Sequence, residues 1–154
     1  MEYWKFLRSK VGSSQIIIPG ADGAIINNGE ILLVKNKNDK KWYLPGGLQE
    51  LNESIERTVI REIKEELNIN VVVRKLISIY SSPKWIKKYI NGDIIQSLTF
   101  LLLVETKDIK IEIDKSEIEE YDYFRINELP DNIADYALEM CKDVLDYNGK
   151  TILK

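Results

Sequence analysis

Residues 47–69 read GLQELNESIERTVIREIKEELNI. Apolar side chains recur at Ile55, Val59, Ile60, Ile63 and Leu67. At about 100° per residue they fall on one arc, which predicts a helix over residues 53–67. Glu62, Glu65 and Glu66 gather on an adjoining arc roughly 100° wide. Like charges three or four residues apart destabilise a bare helix by about 0.2–0.5 kcal/mol per pair. Three carboxylates so placed make sense where a cation sits among them. The helix then has one face to pack on a sheet and a border that presents acids to a cleft.

The flanking sequence supplies that sheet. Upstream, residues 15–19 are β-branched and read as a strand. Residues 21–26 and 30–34 are apolar runs around the turn Asn27-Asn28-Gly29. A polar, basic loop over 35–41 leads to a short extended piece at 42–44, ended by Pro45-Gly46-Gly47. Downstream, residues 71–81 read as a strand. Asn91-Gly92 marks a hairpin, because this pair suits the two positive-φ positions of a type I′ turn. Residues 96–105 form a long apolar strand, and 110–113 and 121–124 are weaker strand candidates. Asp131 is the expected cap of a final helix with Ala134, Leu138, Cys141 and Leu145 on one face and Gly149 as its stop. The order strands, helix, strands, helix predicts an α+β domain with a mixed sheet. No repeat or linker divides residues 1–154, so a single domain is expected.

Composition narrows the chemistry. The 154 residues carry 22 Lys and Arg against 25 Asp and Glu, a net charge of −3. That balance argues against a general nucleic-acid coat. Cys141 is the one cysteine and histidine is absent. Intrachain disulfides, cysteine zinc clusters and Ser-His or Cys-His nucleophiles are thereby excluded. Any metal must be held by oxygen ligands, which suits magnesium or manganese. The start of the chain lacks the apolar core of a secretory signal, and no run is long enough to span a membrane. A cytoplasmic location, with no membrane partner, is the expectation.

The spacing Gly47, five residues, Glu53, seven residues, Arg61-Glu62-Ile63-Lys64-Glu65-Glu66-Leu67-Asn68-Ile69 resembles the Nudix box. That box is the signature of hydrolases that cleave nucleoside diphosphates linked to another moiety. One position departs: the family has glycine where this chain has Asn68. The resemblance implies an α/β/α sandwich with a mixed sheet and the box as loop–helix–loop. It implies a metal-dependent pyrophosphohydrolase with a small nucleotide substrate, of the nucleoside triphosphate, ADP-ribose or nucleotide-sugar type. Alternatives are a nucleotide-sensing module that does not cleave, and an RNA 5′-end pyrophosphohydrolase. A homodimer is compatible with it.

Residue by residue, the resemblance makes Glu62, Glu65 and Glu66 the candidate ligands of magnesium, with manganese as a substitute. Glu53 belongs to the metal shell or contacts Arg61, and Arg61 is an organiser whose planar fork can hold a carboxylate in one orientation. Gly46 and Gly47 let the backbone approach a diphosphate closely. Asn52 and Asn68 stand where the family shows glycine, and asparagine tolerates the left-handed backbone best among the other residues. Farther on, Asp114, Glu117, Glu119 and Glu120 resemble the family's later acidic segment. Glu117 is the first candidate for a further ligand or general base, and Glu120 the second. Lys35, Lys37, Lys40 and Lys41 are candidates for steering a polyphosphate. Trp42, Trp85, Tyr80 and Phe100 are candidates for stacking a base.

Overall fold

Asn28 and Gly29 have φ of 51° and 80° and join β1 (Ile16–Asn27) to β2 (Glu30–Asn36). Asn27 pairs with Glu30 across them, so this two-residue loop has the left-handed geometry of a type I′ turn. The sequence predicts that geometry at Asn91-Gly92, and the structure corrects it. There only Gly92 has positive φ, 90°. β6 (Ile86–Lys88) meets β7 (Ile94–Thr106) across the longer loop 89–93, which spares Asn91 a left-handed backbone.

The computed structural model describes residues 2–154, with Met1 outside the described residues. The other elements are α1 (Tyr3–Val11), β3 (Trp42–Tyr43), β4 (Gly46–Leu48), α2 (Ile55–Leu67), β5 (Val71–Tyr80), β8 (Ile118–Arg125), α3 (Asp135–Asp146) and β9 (Ile152–Leu153). A 3-10 turn lies at Pro83–Trp85. The sheet runs β3-β2-β1-β7-β5-β9, with β4 added to β1, β6 to β7 and β8 to β2. β1 runs parallel to β7 and β5 parallel to β9, while the other pairs are antiparallel. This is the mixed sheet that the sequence predicts.

Alternate residues of a strand face opposite sides of the sheet, and each side here has its own core. On one side Ala21, Ile25, Leu32 and Val34 pack against Val59, Ile63 and Leu67 of α2. These three α2 side chains have 0 % exposure, and burying each is worth about 1.5–3 kcal/mol. On the other side Ala24, Ile31 and Leu33 pack against Ala137, Met140 and Cys141 of α3. The result is an α/β/α sandwich in which α2 lies flat on β1 and its acidic border faces β4.

Several elements differ from expectation. Residues 15–19 and 21–26 form one strand, because Pro19 and Gly20 stay in register with Leu98 and Thr99 of β7. Residues 110–113 form no strand. Instead Glu112 and Asp114 donate their N–H groups to the carbonyls of Leu67 and Glu66 at 3.0 and 2.9 Å. They thereby satisfy carbonyls that the end of α2 leaves open. α3 is capped at Ala134 rather than Asp131, with no side-chain cap bond. Its buried face runs through Ala137, Met140, Cys141 and Asp143, and Leu145 is exposed. Gly149 lies past the end of this helix. α1 and β9 were not anticipated, since α1 buries none of its residues and β9 is two residues long. Among the described residues, no helix is long and apolar enough to cross a membrane.

Candidate functional site

Ser54 is the N-cap of α2 and its side chain accepts a hydrogen bond from the N–H of Arg57. The helix thus starts two residues past Glu53, at Ile55, and leaves that carboxylate free to turn inward. Two turns on, Arg61 reaches back to it. Nε donates to Glu53 Oε1 at 2.6 Å and Nη2 to Oε2 at 3.0 Å, a two-pronged pairing. Thr58 Oγ1 and the Glu50 N–H also donate to Glu53 Oε2, each at 3.1 Å. The Arg61 guanidinium above all holds the Glu53 carboxyl down at about 2. Arg61 Nη1 donates to Glu62 at 2.8 Å and Glu65 at 3.1 Å, and Nη2 to the carbonyl of Leu48 at 3.0 Å. One arginine therefore gathers three carboxylates and ties α2 to β4.

β4 brings two glycines against these acids. The Gly46 N–H donates to Glu66 Oε2 at 3.0 Å. A Cβ on Gly47 would stand 2.5 Å from the Glu62 carboxyl carbon, so only glycine leaves that carboxylate room. Burial pushes Glu62 above its ordinary pKa, against the pull of Arg61. It pushes Glu66 well above, despite the Gly46 N–H, with the charges of Glu62, Asp22 and Glu117 adding to the shift. Crowded acids of this kind carry a proton or need a cation.

The acids open on a cleft of about 570 Å³ lined by Gly46, Gly47, Arg61, Glu62, Glu65 and Glu66 together with Glu117. Among the described residues no three acids already converge at metal-binding spacing. Glu62 and Glu65 are turned onto Arg61 instead. The donor set still fits a hard divalent cation: it is all carboxylate oxygen, and its buried members are raised by burial and by one another. Glu65 is the most exposed of the three, at 59 %, and the freest to turn.

The remaining candidates lie elsewhere. Lys35 Nζ bonds Glu120 at 2.8 Å and sits over the Trp42 ring, so Glu120 is engaged away from the cleft. Lys37 bonds the carbonyl of Lys115, and Lys40 pairs with Glu119. Trp42 is a core residue, edge-on to Phe124 at 4.9 Å. Neither Lys35 nor Trp42 lines the acidic cleft. Tyr80 donates its hydroxyl to buried Asp143 at 2.5 Å, and Phe100 packs against the α2-side core. Asn52 and Asn68 do adopt left-handed backbones, with φ of 67° and 54°. The sequence reading missed Asp22, a buried carboxylate of β1, whose only signal was one acid within the apolar run over 16–26. It also missed Trp4 of α1, which lines the cleft and is brought there by long-range contacts alone.

Comparison with known proteins agrees with this geometry. A profile of the NUDIX domain matches residues 18–143. An ADP-ribose pyrophosphatase of Methanocaldococcus jannaschii is 37% identical over 131 residues, covering 83% of this chain and 73% of that protein. The fold matches a UDP-X diphosphatase with a TM-score of 0.72 at 19% identity, over 100% of this chain and 76% of the other. It matches an ADP-ribose pyrophosphatase from Streptococcus suis with a TM-score of 0.69 at 22% identity, over 89% and 98%. The profile match takes in β2 to β8, the acidic helix and the carboxylates of the cleft from Glu62 to Glu117, and the chain belongs to the Nudix family of hydrolases.

Proposed function

We propose that this chain is a divalent-metal-dependent pyrophosphohydrolase of nucleoside diphosphates linked to a further group, with an ADP-ribose-type compound as the leading substrate. The carrying observation is the gathering of Glu53, Glu62 and Glu65 by Arg61 beside Glu66 in one cleft. The relative from Methanocaldococcus jannaschii supports the choice of substrate.

In this reading Glu62, Glu65 and Glu66 would hold magnesium or manganese, which when bound offsets the phosphate charge and polarises the P–O bonds. Arg61 and Glu53 keep these acids in position. Glu117, which lines the same cleft, takes a proton from the attacking water. The water oxygen bonds to one phosphorus, the bridging P–O bond breaks, and the leaving phosphate takes the electron pair. Residues 1–154 act as one domain, in a reducing cytoplasmic setting that suits a lone buried Cys141.

The test is a product assay with ADP-ribose, nucleotide sugars, dinucleoside polyphosphates and nucleoside triphosphates, with magnesium or manganese and with chelator. The expected result is metal-dependent conversion of ADP-ribose to AMP and ribose 5-phosphate. Turnover that ignores chelator, or survives Glu65→Gln and Glu66→Gln, overturns the reading. Tight binding of a nucleotide without any turnover would replace it with a sensing module.

A further inference from the structure

The acidic cleft does not account for Asp22. This residue is 8 % exposed and lies on the α3 side of β1, in register with Gly46 of β4 and Leu101 of β7. Its neighbours on that side, Ala24 and Leu101, are apolar. Among the described residues its carboxylate makes no hydrogen bond, and the charges that act on it are those of Lys87 and Glu62. A carboxylate held largely out of water without a partner is unfavourable unless something else meets it. Burial lifts its pKa to about 7.

A second cavity, of about 170 Å³, opens beside Asp22. Tyr80, Trp85, Lys87, Tyr89 and Tyr136 line it. Lys87 Nζ lies 4.3 Å from the centre of the Tyr136 ring. The Trp85 Nε1 donor is buried without a partner. Drug-sized ligands fill about 300 Å³ or more, so this space suits one planar ring system. Aromatic walls favour the face of a base and would leave sugar hydroxyls unpaired. An aspartate at the edge accepts from an amino group, as acids do from the N4 amine of cytosine. Gly46, Gly47 and Leu48 line both this cavity and the acidic cleft. A nucleotide with its diphosphate in the acidic cleft and its sugar across β4 therefore has its base beside Asp22.

We propose that Asp22 is a specificity-determining residue that accepts a hydrogen bond from the exocyclic amine of the substrate's nucleobase, held in the aromatic cavity beside β4. The diphosphate placement rests on the function proposed above, while the recognition of an amine does not.

The experiment measures binding of nucleoside monophosphates in chelator, where no turnover is needed, by calorimetry. Three pairs differ by one amine: adenine against purine, guanine against hypoxanthine, and cytosine against 2-pyrimidinone. Wild type should bind at least one amine-bearing member about tenfold or more tighter than its partner. Asp22→Leu, which suits the apolar surroundings, should reduce that preference to about twofold or less. If Asp22→Leu does not fold, Asp22→Asn is read in its place and should at least halve the preference. No preference in wild type for any pair, or a preference untouched in the folded variant, overturns the proposal. Failure of the product assay alone would sink the hydrolase reading and leave these binding results standing.

Discussion

The Glu62 carboxylate occupies the space that a side chain on Gly47 would need, with its carbon and both oxygens 2.5–2.7 Å from the position of such a Cβ. Gly47→Ala should therefore push Glu62 aside without disturbing the core. A shift of about 1 Å in a catalytic group can cost about 100-fold. We expect kcat/KM to fall by about that factor while circular dichroism and melting temperature stay close to wild type. A loss below about threefold would show that the position of Glu62 is not critical.

Glu53 and Arg61 link the loop to the helix, and Glu53→Gln breaks the two-pronged pairing. Hydrogen bonds to charged groups are worth about 1.5–3 kcal/mol, so a loss of about 2 kcal/mol at neutral pH is expected from urea unfolding. The pH sense follows from the depressed carboxyl. The stabilisation is complete above the ordinary value of 4.5 and is lost as pH falls toward about 2. The wild-type and Glu53→Gln stability curves should converge over that acid window, and parallel curves would refute the linkage.

Glu62 and Glu66 act in the opposite sense. Their folded-state values are raised, so their contribution is full below the ordinary 4.5 and is lost as pH rises through the folded values. Asp22 adds in the same direction, from 3.8 up to about 7. In chelator the melting temperature should decline as pH rises from the ordinary carboxyl value through about 7, where Asp22 titrates. Magnesium should restore it, most strongly at the alkaline end. Glu66→Gln imitates the protonated acid, and should flatten the decline and weaken the response to magnesium in a thermal-shift titration.

Asn68 ends α2 with φ 54° and ψ 29°, and its side-chain amide donates to Glu112 Oε2 at 3.0 Å. Glycine would relieve the left-handed backbone but lose that exposed contact. We expect Asn68→Gly to change stability by less than about 1 kcal/mol. A larger drop in melting temperature would mean that the strut over residues 110–114 depends on this amide.

Ile63 is wholly buried against the sheet. Ile63→Ala should cost about 2–5 kcal/mol, and its neighbour Glu62 should lose its place as α2 loosens. Stability and kcat/KM should therefore fall together, in contrast to Gly47→Ala, where activity falls alone.

The alternation of strands and helices, the α2 face and the acidic border were legible because each is written in local periodicity and spacing. Turn chemistry was legible only in part. Asn27-Asn28-Gly29 and Asn91-Gly92 both suit a tight hairpin, but the register of β6 on β7 decides that the second loop is longer. The helix start at α3 was misjudged because Asp131 resembles a cap, whereas the structure starts the helix four residues on with backbone bonds alone. Lys35, Trp42 and Glu120 resembled site residues by type, yet the contacts that place them, Lys35 with Glu120 and Trp42 with Phe124, come from strands far apart in sequence.

The sequence by itself determined the family, the oxygen-only donor set and which helix face is buried. Residue type and spacing carry that information directly, and the absence of histidine removes the competing chemistries. Only the tertiary structure decided that Arg61 serves three carboxylates at once, that Glu66 leans on the Gly46 N–H, and that Asp22 stands unpaired beside an aromatic cavity. Those relationships depend on β4 being paired to β1 along the acidic border of α2. Pairings across strands and packing of a helix on a sheet join residues that no local pattern connects.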